Sequence, residues 1–60
     1  MKVVIIDYAE ISPAVLAHNL ETTIPCSCGW VDIDEDYFEF SVICDPAYIA
    51  RVERILGQYL

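Results

Sequence analysis

The stretch Trp30-Val31-Asp32-Ile33-Asp34-Glu35-Asp36-Tyr37-Phe38-Glu39-Phe40-Ser41-Val42 decides how this chain folds. Apolar and polar residues alternate, the alternation breaks at an acidic tip, and it then resumes. That pattern predicts two antiparallel strands joined as a hairpin. Pairing Ile33 with Phe38 and Val31 with Phe40 would gather Val31, Ile33, Phe38, Phe40 and Val42 on one face, with Asp34 to Tyr37 closing the loop. The other face would then set Asp32 opposite Glu39 and Trp30 opposite Ser41. Like charges directly opposite one another destabilise a strand pair, so this face calls for a cation from elsewhere.

The flanking segments complete the plan. Lys2–Asp7 is a short, β-branched apolar run bounded by charge, which favours a strand over a helix. Ser12-Pro13 is a helix start: the hydroxyl can accept from free N–H groups, and proline suits the first helical position. Ile11 and Leu16 are spaced to close over that cap. Leu16, Ala17, Leu20 and Ile24 follow at helical spacing until Thr22-Thr23 and Pro25 stop the helix. Strand two is expected from about Cys28 to Asp34 and strand three from Tyr37 to Cys44. Asp45-Pro46 should cap a second helix, with Tyr48, Ile49, Val52, Ile55, Leu56, Tyr59 and Leu60 on its apolar stripe. Gly57 weakens the last turn.

The order β-α-β-β-α in one domain, residues 1–60, predicts the α+β class. A right-handed crossover followed by a hairpin places strand three between strands one and two, giving a three-stranded sheet of order 1-3-2 with two helices on one face. At the level of fold alone this resembles a ferredoxin-like arrangement lacking its last strand, which implies nothing about activity. The absent strand would leave Val3, Val4, Ile5 and Ile6 on an open edge, the place where another chain can pair. A homodimer joined through this edge is therefore expected.

Composition narrows the functions. Sixty residues bury only about 60% of the surface the unfolded chain exposes, yet 57% of these residues are hydrophobic. A partner or a second copy is the natural outlet for the excess. Ten acidic residues against three Lys and Arg give a net charge of −7. That balance is repelled by phosphate backbones and anionic membrane and attracted to basic surfaces. The apolar run before Asp7 is too short for a signal-peptide core or a membrane span, so a cytoplasmic address with reduced cysteines is expected.

Several residue groups invite chemistry. Cys26, Cys28, Cys44 and His18 are the residue types of a Cys3His zinc site, but there is no second close pair, and in the register above Cys44 faces the core while Cys26 and Cys28 face outward. No Lys or Arg lies near Cys26 or Cys28 in sequence to activate a thiol. Asp32-Ile33-Asp34-Glu35-Asp36 resembles the start of a calcium loop, but Tyr37 and Ile43 stand where Gly and Glu are required. Asp7 and Glu10 lack a nucleophile or positioned base beside them. The expectation is thus a non-enzymatic binding or regulatory module without cofactor. It would dock on a basic protein surface through Trp30, Asp32, Asp34, Asp36, Tyr37 and Glu39, in one variant as a nucleic-acid mimic or inhibitor. Two alternatives are a metal- or thiol-dependent role of Cys26, Cys28 and Cys44, and a purely structural subunit of a larger assembly.

Overall fold

A computed structural model describes residues 1–60. Strand β1 (Lys2–Asp7) leads to helix α1 (Pro13–Thr23), strands β2 (Cys26–Asp32) and β3 (Tyr37–Cys44), and helix α2 (Ile49–Leu56). Short 3-10 turns precede and follow α2, at Pro46–Tyr48 and Gly57–Tyr59. The sheet order is β1-β3-β2, with β3 antiparallel to both neighbours. β1 and β2 are therefore parallel, and α1 is the crossover between them. The α+β class, the strand order and the two helices agree with the sequence reading.

Helix α1 begins as its sequence dictates. Ser12 is the N-cap, its hydroxyl accepts from the Val15 N–H at 3.3 Å, and Pro13 occupies the first turn. Asp45 starts the C-terminal helical segment in the same way, accepting from the Ala47 N–H at 2.9 Å. α1 lies along β2, and α2 lies along β1. Between helices and sheet sits one core: Val4, Ile6, Phe38, Phe40 and Val42 from the sheet, Leu16, Ala17 and Leu20 from α1, Ile24 after it, and Val52 and Leu56 from α2. Full burial of such a side chain stabilises the fold by about 1.5–3 kcal/mol each. Lys2 reaches Glu53 on α2 at 3.7 Å, the only ion pair in the molecule. Both groups are substantially exposed, so the pair contributes little.

The hairpin differs from its expected register by one residue. Val31 pairs with Glu39, Asp32 with Phe38, Trp30 with Phe40 and Cys28 with Val42. A one-residue slip exchanges the faces of a whole strand. Val31 and Ile33 thus leave the core and point to solvent, while Asp32 and Trp30 move to the helix side. Strand β2 also begins two residues earlier and ends two residues earlier than expected. The cause is the turn. Asp34 Oδ1 accepts from the N–H groups of both Asp36 and Tyr37, at 2.8 and 3.0 Å. Ile33 N–H donates to the Tyr37 carbonyl at 3.0 Å. An aspartate that folds its own backbone in this way fixes a tight loop, and the loop fixes the register.

Candidate partner-binding face

Helices cover one face of the sheet, and nothing covers the other. On the open face the cross-strand rows read Asp7–Tyr37–Ile33, Ile5–Glu39–Val31, Val3–Ser41–Gly29 and Ile43–Ser27. Val31 is 67% exposed, Ile43 60% and Ile5 57%, with Val3, Ile33 and Tyr37 also open to solvent. Ser41 and Gly29 form a low row across the middle, where the Ser41 hydroxyl donates to the Gly29 carbonyl at 3.3 Å. Together the apolar side chains of this face form a contiguous exposed patch. Glu39 stands in its centre, flanked directly by Ile5 and Val31, and no cation pairs with it.

One end of the sheet is acidic. The C-terminal end of β1, the loop after it and the hairpin turn bring together Asp7, Glu10, Asp32, Asp34, Glu35 and Asp36. Three of these carboxylates have structural duties. Asp7 accepts from the Ala9 N–H at 2.8 Å, Asp34 closes the turn, and Asp32 accepts from the Tyr8 hydroxyl. Tyr8 itself packs on Phe38 with ring centres 4.8 Å apart. Glu10, Glu35 and Asp36 have no side-chain partner within the chain and extend the open face's negative charge at its rim.

The six residues expected to form one docking face are therefore divided. Tyr37 and Glu39 lie on the open face, and Asp34 and Asp36 lie in the turn beside it. Asp32 and Trp30 lie on the helix side, where Trp30 stacks on Phe40 with planes 7° apart. The opposition of Asp32 to Glu39 does not exist: these carboxylates are on opposite faces. Periodicity alone places Val31 and Ile33 in the core, and the Asp34 turn is the sequence signal that puts them on the open face.

The cysteines move with the same slip. Cys26, Cys28 and Cys44 all lie on the helix side, at the end of the sheet away from the acidic turn, rather than on two faces. Cys26 is directly opposite Cys44, and Cys26 Sγ lies 3.9 Å from Cys28 Sγ. Burial, then the neighbouring Cys26 thiol, then Glu21 and Cys44 push the Cys28 thiol up to about 12. His18 is exposed on α1. No three His, Cys, Asp or Glu side chains are grouped closely enough to hold a metal ion.

The two sheet edges are also unequal. The Cys28 N–H, which faces outward from β2, donates to the Glu21 carboxylate of α1 at 3.0 Å. The β1 edge has no such cover. Tyr8 N–H donates to the Asp36 carbonyl, and alternation along the ladder then turns the N–H and C=O groups of Val3 and Ile5 outward. No helix is long and apolar enough to cross a membrane. Comparison with protein-family models, curated proteins and solved structures gave no match for this chain.

Proposed function

We propose that the chain is a non-enzymatic binding module whose open sheet face receives an apolar, lysine- or arginine-bearing segment of a partner protein. The observation that carries this reading is Glu39, an unpaired carboxylate ringed by Ile5, Val31 and Tyr37. Covering that patch without a cation would bury a lone charge, at a cost of several kcal/mol per ion. A second copy placed face to face would bring negative charge against negative charge. A basic partner relieves the charge and covers the apolar ring together, while Glu10, Glu35 and Asp36 steer its approach. In the nucleic-acid-mimic variant the turn carboxylates take the place of phosphates, and the partner's own nucleic acid competes with this chain.

The experiment is capture of partners on the immobilised protein from its native cell, with identification by mass spectrometry. Wild type is compared with Glu39→Lys and Val31→Asp, both on the open face and away from the core. The expected result is a basic protein that binds wild type, is lost from both variants and is released by salt. A partner retained equally by both variants overturns this assignment of the face. Displacement of that partner by its nucleic acid distinguishes mimicry from simple docking.

A second reading concerns self-association through β1. In an antiparallel β1–β1 pair that keeps like faces together, Val3 of one copy meets Ile5 of the other, and both turn their free backbone groups outward to the edge. The two open faces would then join into one. Val3→Pro removes an outward N–H without touching the β1–β3 ladder. Sedimentation should show a dimer for wild type and a monomer for this variant; a wild-type monomer at micromolar concentration eliminates the dimer.

A further inference from the structure

The thiol trio at the end of the sheet away from the acidic turn is not used by the docking face. Its backbone geometry favours the cross-strand pair, although the sulfurs that lie within 3.9 Å of each other in the structure are those of Cys26 and Cys28. The Ile33 N–H to Tyr37 carbonyl bond identifies Ile33 and Tyr37 as a hydrogen-bonded pair of the hairpin ladder. Counting down β2, pairs alternate, so Cys26 and Cys44 form a non-hydrogen-bonded pair. Side chains approach most closely at such positions, with Cα atoms about 4.5 Å apart. A disulfide accepts Cα separations of roughly 4.4–6.8 Å. By contrast, Cys26 and Cys28 are two residues apart on one extended strand. At roughly 3.3 Å rise per residue their Cα atoms lie near the far limit for a bond.

We propose that Cys26 and Cys44 are a redox modification site, forming a cross-strand disulfide by exchange with a small-molecule disulfide of the glutathione class. All three cysteines are half-buried, so a small disulfide can reach their sulfurs whereas a second protein chain meets more obstruction. The Cys26 thiolate attacks one sulfur of glutathione disulfide. A protein–glutathione mixed disulfide forms, and one glutathione thiolate leaves and takes up the proton that Cys26 lost. The Cys44 thiolate then attacks Cys26 Sγ and displaces the second glutathione, which takes the proton from Cys44. Two protein thiols are oxidised, and one glutathione disulfide is reduced to two glutathione molecules. Cys28 stays a protonated bystander, since burial and its neighbours disfavour its thiolate. The new bond would clamp the open end of the hairpin whose other end is closed by Asp34.

The test is incubation of the purified full chain with glutathione disulfide, then alkylation of remaining thiols and fragment mass spectrometry. The expected product has lost two hydrogens, carries no glutathione and has a single alkylated thiol, at Cys28. Cys28→Ser should still form the bond, whereas Cys44→Ser should stop at the mixed disulfide. Alkylation found at Cys44 instead of Cys28, or wild type remaining as a mixed disulfide, overturns the proposal. The wild-type map decides the matter even if a variant folds poorly.

Discussion

Phe38, Phe40 and Val42 point from β3 into a closed core, while Tyr37, Glu39, Ser41 and Ile43 of the same strand face solvent. The neighbouring strands repeat the contrast. Val4 and Ile6 of β1 are buried, and Val3 and Ile5, equally apolar, are not. Hydrophobicity therefore does not distinguish the two faces; coverage by α1 and α2 does. A β-branched residue adds core burial to this fold only where a helix lies over it, and elsewhere it contributes strand propensity alone.

Truncating the covered face should have the largest effect. Phe38 is fully buried and packs on Tyr8 and Phe40. Phe38→Ala should cost about 3–5 kcal/mol. A domain of sixty residues has roughly 3–9 kcal/mol in total. Thermal unfolding followed by circular dichroism should therefore show a large fall in midpoint or loss of the transition, and an unchanged midpoint would show that the core does not depend on this ring.

Next in size is the turn that assigns residues to faces. Asp34→Ala removes two hydrogen bonds to backbone N–H groups, each worth about 1.5–3 kcal/mol when the acceptor is charged and less when exposed to water. Denaturant titration should register a loss of about 1–3 kcal/mol. The alternative register, with Val31 opposite Phe40, becomes accessible once that turn is gone. Loss of nuclear Overhauser contacts between Trp30 and Phe40 would report the slip directly.

Asp34 also explains which parts of the structure were legible in the sequence. Elements and their order follow from Ser12-Pro13, from the stop at Pro25, from Asp45-Pro46 and from the apolar runs, because each signal is local. Strand order follows from the handedness of the crossover. Register was not legible from periodicity, because Val31 and Ile33 on one side of the strand and Trp30 on the other are all apolar. Two pairings one residue apart both bury hydrophobic side chains, and only the backbone-directed Asp34 carboxylate separates them. The same ambiguity divided the expected docking residues between faces and set the cysteines on two sides. The Tyr8–Asp32 hydrogen bond, joining residues 24 apart in sequence, has no local signal at all.

A smaller effect should appear only at high pH. The Cys28 thiol is pushed up to about 12 in the folded chain from its ordinary value of 9.0. Between those two values the unfolded chain has released the proton and the folded chain retains it. Stability therefore falls as pH rises through this window. The thiol is partly open to water, so screening keeps the loss modest. Urea midpoints should decline from pH 9 upward in wild type more steeply than in Cys28→Ser; parallel profiles would mean that the thiol titrates alike in both states.

The smallest expected effect on stability is the most informative about the open face. Val31 is two-thirds exposed and packs under no helix, so Val31→Thr keeps the β-branched shape the strand prefers and removes only surface apolarity. Its stability should match wild type within about 0.5 kcal/mol. Under the proposed docking, partner affinity should nonetheless fall, because the methyl lost beside Glu39 would belong to a ring that excludes water from the charged contact. A loss of stability comparable to a core truncation would show that the face is covered in the folded chain. Unchanged stability with weakened binding would identify Val31 as a residue kept apolar for the partner.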